Sequence, residues 1–205
     1  MKYKFGSIND RIATIQFDFD IDPNTMQRLL EQEQWDTPSD SQRSFCQYPK
    51  NPRLQNILDG VTAEKFRIEL LEHLYSLDHN LGEIYGQGGN RDLQWLWNGL
   101  TARQMDSICG VGAYFTRDNP GYTTNLHIDR LGHPFVGMIF LNQDNQDFTT
   151  DFYSSRDKTD HKTIKHKYGK GWLQANHVNT WHEGMNRSKT QKRYCICFNW
   201  GLLSP

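Results

Sequence analysis

The sequence has few cysteines, little net charge and no long apolar run, and each shortage excludes a class of protein. Its 205 residues include 4 cysteines without CxxC spacing or a dense framework, so we expect free thiols in a reducing cytosol rather than a disulfide scaffold. No stretch approaches the roughly 18 consecutive apolar residues of a membrane span, and no run suggests a signal peptide. A formal net charge of -1 disfavours binding of nucleic acid or an anionic membrane by the whole surface. We therefore expect a cytoplasmic protein without a membrane partner.

Aromatic residues, in contrast, are abundant. The chain holds 6 Trp, 9 Tyr and 11 Phe within an apolar fraction of 36%, so rings must supply much of the buried area. The length is near that of one ordinary domain with its own core. We expect one domain over 1–205, with a mainly helical part at 1–105 and a β-rich core at 106–205.

The first part shows two helical patterns. Alternation from Ile12 to Phe19 predicts a strand, and Asp22-Pro23 then opens a helix, since proline is favoured at the first helical position. A second helix is predicted over about Thr62 to Leu77, where apolar residues recur at helical spacing. The segment GEIYGQGGN, from Gly82 to Asn90, lacks the strand-before, helix-after setting of a phosphate-binding loop and is interpreted as a turn.

Apolar segments of strand length fill the second part. They are Ile108 to Phe115, Phe135 to Leu141, Phe148 to Tyr153, Trp172 to Val178 and Arg193 to Trp200. No helical period interrupts them, so we expect an antiparallel jelly roll or related barrel with the helices packed outside. The fold class is therefore α+β, mainly β.

The last predicted strand has two different faces. One carries Tyr194, Ile196, Phe198 and Trp200, and the other carries Arg193, Cys195, Cys197 and Asn199. The large rings can pack under the helices, whereas the second face would line the barrel interior. Because a buried arginine needs an anionic partner, we expect something negative near Arg193.

Three residues are candidate metal ligands and form the candidate catalytic centre. His127 and Asp129 are two apart, so on extended chain both side chains emerge on one face, although HxD alone often arises by chance. His182, 55 residues after His127, adds a second imidazole. Two imidazoles and one carboxylate occupy one face of an octahedral Fe(II) and leave positions open for co-substrate and oxygen.

Arg193, eleven residues after His182, suggests what fills the open positions. A dicarboxylic keto acid can chelate iron through its keto and adjacent carboxylate oxygens while its far carboxylate forms a two-pronged salt bridge to the arginine. The residues therefore predict an iron site with a dicarboxylate co-substrate.

From about Ile108 to Trp200 the sequence resembles the 2-oxoglutarate and iron(II) dependent oxygenases, particularly the prolyl-4-hydroxylase-like branch. The matching motifs are the HxD pair, FLN at 140–142, FY at 152–153, TWHEG at 180–184 and RYCICFNW at 193–200. The resemblance implies a cupin-like double-stranded β-helix in which Arg193 binds the far carboxylate of 2-oxoglutarate. It also implies a second contact from Tyr114, or failing that from Tyr122.

The departures from the family pattern are local. Thr149-Thr150 replaces a common Gly-Gly, and Cys195 replaces a serine that hydrogen-bonds the co-substrate in many relatives. Asp129 is present, which favours hydroxylation over the halogenation catalysed by relatives with a small residue at that position.

The resemblance implies hydroxylation of an unactivated C–H of a prolyl or other amino-acid residue, in a peptide, a protein or a free amino acid, with release of succinate and CO2. Fe(II), 2-oxoglutarate and O2 would take part, with ascorbate as a further candidate. One alternative is a non-catalytic jelly roll that holds a metal such as zinc. A nucleic-acid demethylase of the same superfamily is another, suggested by Arg187 and Arg193. No motif indicates the oligomeric state.

Other histidines are competing candidates. His133, between a glycine and a proline, is interpreted as a loop residue, and His177 could face either the pocket or the core. The run from Arg156 to Lys170 has six Lys or Arg against two acids. We interpret it as a solvated loop, with recognition of an acidic or extended substrate as the alternative.

Overall fold

The computed structural model describes residues 2–39, 41–77, 100–129, 133–176 and 180–203. Within these ranges the elements are β1 (Lys2–Asn9), β2 (Ile12–Asp18), α1 (Pro23–Glu31), β3 (Arg43–Cys46), α2 (Pro52–Thr62), α3 (Glu64–Leu77), α4 (Ala102–Ser107), β4 (Cys109–Asp118), β5 (Phe135–Phe140), β6 (Asn145–Tyr153), β7 (Lys162–His166), β8 (Lys170–Ala175), β9 (Trp181–Asn186) and β10 (Arg193–Leu202). The predicted turn at 82–90 and His177 lie outside the described residues. None of the four helices has both the length and the apolar character that crossing a membrane requires.

The strands form two antiparallel sheets. The major sheet has the order β1-β2-β8-β5-β10-β4-β3, and the minor sheet has the order β7-β6-β9. Isolated bridges from Thr123 to Met185 and from His127 to His182 attach the segment before Asp129 to β9. The architecture is the double-stranded β-helix that the sequence predicted.

The last strand separates two cores, as its two faces predicted. Its rings, among them Tyr194 and Trp200, join the larger buried cluster together with residues of the helices such as Leu30 and Leu70. Cys195 joins a smaller cluster inside the barrel that draws on both sheets. The helices therefore cover the outer face of the major sheet and leave the space between the sheets for a site.

Side-chain caps fix where the first two helices begin. The Asp22 carboxylate accepts hydrogen bonds from the backbone N–H groups of Asn24 and Thr25 at 3.1 and 3.0 Å, directly before Pro23. Asn51 caps α2 in the same way, and Pro52 follows it. The sequence analysis does not predict α2, although its buried residues Leu54, Ile57, Leu58 and Val61 recur at helical spacing.

Four strands were also missed, and each lacks a strong apolar pattern. They are β1, β3, β7 and β9. β1 alternates exposed and half-buried residues and carries several polar groups, while β3 has only four residues. β7 lies within the basic run, so the solvated-loop interpretation is wrong for 162–166, where Ile164 and His166 are buried. Half-buried and very short strands carry too few apolar positions to show a period of two.

His166 makes the stability of the fold depend on pH. It is 3% exposed, its ring stacks on Phe140 at 4.4 Å between centroids, and its Nε2 accepts a hydrogen bond from the backbone N–H of Asn142. Burial, with a contribution from Arg193, lowers the pKa of His166 to about 3. The unfolded chain, in which the histidine pKa is about 6.5, therefore binds a proton that the folded protein does not bind.

We expect the free energy of unfolding to fall as the pH falls below about 6.5, by about 1.4 kcal/mol per pH unit from this group. Urea unfolding of the wild type and of His166→Gln at several pH values between about 7 and about 5 measures it. The variant should lose this part of the pH dependence. Parallel curves for the two proteins would assign the effect to other groups.

Candidate metal centre

The structure brings His127, Asp129 and His182 together between the two sheets. His127 and His182 exchange both backbone hydrogen bonds, at 3.0 and 2.9 Å, so their side chains lie side by side. Asp129 Oδ1 lies 3.7 Å from His127 Nε2, and Asp129 Oδ2 lies 3.4 Å from His182 Nε2. One ligand atom from each residue lies within 4.8 Å of the others, so the three side chains could hold a single metal ion.

The other ring nitrogens orient the two imidazoles. His127 Nδ1 lies 2.6 Å from the Asn125 carbonyl oxygen, and His182 Nδ1 lies 3.4 Å from the Thr180 carbonyl oxygen. A proton on Nδ1 of His127 leaves its Nε2 with a free lone pair. Burial lowers the pKa of His182, so its ring is neutral at neutral pH, the form that binds a metal.

Asp129 is held by two amides of strand β8 and the residue that follows it. Gln174 Nε2 lies 3.2 Å from Asp129 Oδ2 and 3.0 Å from His182 Nδ1. Asn176 donates to the Asp129 carbonyl oxygen at 3.0 Å. Burial by itself would raise the pKa of Asp129, but His182 and His127 more than offset it and hold the pKa below its ordinary value. The carboxylate is therefore ionised and oriented for a cation.

The sequence analysis missed Gln174. A signal was available, since Gln174 is a polar residue two positions after Trp172 and shares its face of the predicted strand. The structure shows that Gln174 is fully buried. Fixed ionised and neutral ligands of this kind suit a divalent ion such as Fe(II) or Zn(II).

A cavity of about 420 Å³ opens beside the three ligands. Its apolar wall includes Val136, Met138, Trp172 and Phe198, and its polar wall includes Arg43, Tyr114, Thr124, Thr150 and Asn199.

Tyr114, a predicted co-substrate contact, lines the cavity. Cys197 and burial raise the pKa of Tyr114, so its hydroxyl stays protonated and can donate. His133 also lines the cavity, beyond the role of loop residue that the sequence suggested.

Arg193 has the anionic partner that the sequence predicted, and that partner belongs to the protein. Its side chain is 0% exposed, and its Nε and Nη2 donate to Asp118 Oδ2 at 2.8 and 2.6 Å. Arg43, which lines the cavity, donates from Nε to Oδ1 of the same Asp118 at 2.6 Å. Burial would raise the pKa of Asp118, but Arg193 and Arg43 offset it and hold the pKa below its ordinary value. The sequence analysis named neither Arg43 nor Asp118.

The remaining candidates separate into two groups. Thr150 lines the cavity, whereas Cys195 is fully buried in the barrel interior. Tyr122 lies under the Arg43 guanidinium, with 4.9 Å from Cζ to the ring centroid. Arg187 has a half-exposed side chain that pairs with Asp151, so it does not join Arg193 in one binding surface.

Fold and site together define the class of this protein, a double-stranded β-helix in which two histidines and one carboxylate could hold a metal ion beside a cavity. Neither a family model nor a curated protein sequence matches the chain. Solved structures do match it.

One similar structure is a prolyl hydroxylase from Trichoplax adhaerens in complex with a hypoxia inducible factor peptide fragment, with a TM-score of 0.56 and 13% identity over 94% of this chain and 84% of that chain. A prolyl-4-hydroxylase from Pseudomonas putida has a TM-score of 0.53 and 10% identity over 98% and 93%. An oxidoreductase of the 2OG-Fe(II) oxygenase family from Burkholderia pseudomallei has a TM-score of 0.50 and 10% identity over 88% and 79%. The chain therefore has the fold of the 2-oxoglutarate and iron(II) dependent oxygenases, as its motifs predicted.

Proposed function

We propose that this protein is a 2-oxoglutarate- and Fe(II)-dependent dioxygenase that hydroxylates a prolyl or other amino-acid residue and releases succinate and CO2. The observation that carries the proposal is the convergence of His127, Asp129 and His182 beside a cavity, in the fold of these oxygenases. Three ligands on one side of an ion leave its other positions open toward the cavity.

Positive charge near the cavity supports a dicarboxylate as the co-substrate. Arg193 and Arg43 share the single carboxylate of Asp118, so this group of three side chains keeps one positive charge. A zinc ion with a water ligand would not pair with this positive charge. The far carboxylate of a bound keto acid would pair with it and neutralise it. In this proposal Arg193 supplies part of the charge that attracts the far carboxylate, and Tyr114 donates a hydrogen bond to the co-substrate.

The protein's residues would bind, orient and protect the reacting groups. Bound ferrous iron would supply the activation of O2 that couples decarboxylation of 2-oxoglutarate to hydroxylation. Gln174 and Asn176 hold Asp129, and the backbone bridge from His127 to His182 fixes the distance between the two rings. Apolar side chains such as Trp172 cover one wall and keep bulk water away from the open positions.

A peptide or an amino acid is the substrate class that we propose. The cavity of about 420 Å³ lies in the size range of small-ligand sites, large enough for the co-substrate and one amino-acid side chain. The Trichoplax adhaerens relative in fold binds a peptide fragment. We further propose that the protein acts in the cytoplasm, that it forms one domain, and that O2 and ascorbate are the other small molecules of the reaction.

The test begins without oxygen. Fe(II) is added to the purified protein and followed by 2-oxoglutarate, and we expect a weak visible absorption band that zinc in place of iron does not give. Peptides and free amino acids are then screened in air for stimulated release of succinate. Metal binding with neither a band nor succinate would favour the non-catalytic jelly roll and contradict the proposed function.

A further inference from the structure

One row of side chains runs across three strands at one end of the barrel. The backbone register pairs Arg43 of β3 with Asp118 of β4, and Asp118 with Arg193 of β10. Because cross-strand partners project to the same face, all three side chains point between the sheets. The row therefore places two guanidinium groups on either side of one carboxylate.

The donors of Arg193 are directed mainly at the protein. Nε and Nη2 contact Asp118, and Nη1 donates to the carbonyl oxygens of Thr149 and Met185 at 3.1 and 3.2 Å. These are four of the five N–H groups that a guanidinium carries, roughly its full capacity. With no exposed area, Arg193 is not among the described residues that line the cavity. Its bonds hold Asp118 in place.

Arg43 is placed differently. It lines the cavity, and its side chain keeps 16% of its area exposed. Nε and Nη2 donate to the two Asp118 oxygens at 2.6 and 3.0 Å, which fixes the plane of the guanidinium. Among the described residues, Nη1 has no hydrogen-bond acceptor. The Tyr122 ring lies against the guanidinium and limits its movement further.

We infer that Arg43, from a four-residue strand outside the jelly-roll core, binds the far carboxylate of the dicarboxylate co-substrate, while Arg193 positions Arg43 through Asp118. The inference rests on the proposed function and assigns one contact within it. Charge supports it, because the three-residue row has one positive charge without a partner and a carboxylate on Nη1 would neutralise it. The neighbouring Tyr114 and Thr124 also line the cavity and can donate hydrogen bonds to the same ligand.

Two keto acids test the inference by binding rather than by turnover. 2-Oxoglutarate and 2-oxovalerate share the chelating end, but 2-oxovalerate has a methyl group where 2-oxoglutarate has the far carboxylate. Each is titrated without oxygen into the Fe(II)-loaded protein, and affinity is measured by calorimetry and by the visible band. We expect the wild type to prefer 2-oxoglutarate by roughly 100-fold, and Arg43→Ala to reduce this preference to less than roughly 5-fold without weakening Fe(II) binding.

Control variants separate a binding role from a structural one. Arg117→Ala removes the next-row arginine, which faces the other side of β4 over the Trp35 ring, and should keep the preference. Arg43→Lys keeps the positive charge but lacks the planar guanidinium. We expect it to fold even if Arg43→Ala does not, and to show a preference for 2-oxoglutarate between those of the wild type and Arg43→Ala.

Three outcomes would overturn the inference. If Arg43→Ala or Arg43→Lys keeps the full preference, Arg43 does not bind the far carboxylate. If Arg193→Lys alone loses the preference, Arg193 is the direct ligand. If wild-type protein with bound Fe(II) binds neither keto acid, the proposed function fails and the inference fails with it. In the first two outcomes the wild type still binds 2-oxoglutarate, so only the inference fails.

Discussion

His182→Ala is expected to lose Fe(II) binding and, with it, all release of succinate. The substitution removes one of three ligands and also the imidazole that lies against Asp129 Oδ2 at 3.4 Å. Because changes that only disturb the support of a metal ligand already cost about 10- to 100-fold in affinity, we expect loss of the ligand itself to cost more than about 100-fold. Bound iron is measured by elemental analysis after removal of free metal, and the visible band is recorded with 2-oxoglutarate.

His161→Ala is the matched control for that experiment. His161 lies on the outer side of the minor sheet, its side chain is 52% exposed, and it contacts Asp151 rather than the cavity. It should keep the full iron content and the band. Circular dichroism shows that each variant is folded before metal is added. Uncoupled decarboxylation of 2-oxoglutarate that persists in His182→Ala would mean that His182 is not the distal ligand.

Asp118→Ala is expected to have the largest effect on stability. Asp118 is 0% exposed and accepts charged hydrogen bonds from both Arg43 and Arg193. Its removal leaves Arg193 buried with no carboxylate. Breaking a buried ion pair by removing one partner costs about 3 to 5 kcal/mol, and we expect a loss in that range in the free energy of unfolding measured with urea.

Two further variants define the cause of that loss. Asp147→Ala removes an exposed carboxylate and should change stability by less than about 0.5 kcal/mol. Asp118→Asn keeps an oxygen acceptor but removes the charge, so it should be less harmful than Asp118→Ala. Equal stability of Asp118→Ala and wild type would show that the arginines find other partners and that the row is not a unit.

Features that depend on local period and spacing could be predicted from the amino-acid sequence alone. Alternation from Arg193 to Trp200 separated a ring-bearing face from an interior face, and strand β10 of the structure confirms that separation. Two-residue spacing placed His127 and Asp129 on one face, and the proline-led patterns located α1. Each of these rests on neighbours along the chain, because strand and helix geometry fixes where nearby side chains point.

Which distant groups meet depends on how the strands pack, and it could not be predicted from the sequence. Asp118 lies 75 residues from both Arg43 and Arg193, and nothing in local spacing pairs them. Gln174 meets Asp129 because β8 lies in the barrel wall near the segment that carries the ligand, and that neighbourhood is a property of sheet order. Arg43 lies in a strand of only four residues, and the sequence around it does not indicate whether its side chain binds a ligand or lies on the surface. Buried charged groups pair with whichever opposite charge the fold brings close to them. The cluster of Arg43, Asp118 and Arg193 beside the cavity could therefore be identified only from the structure.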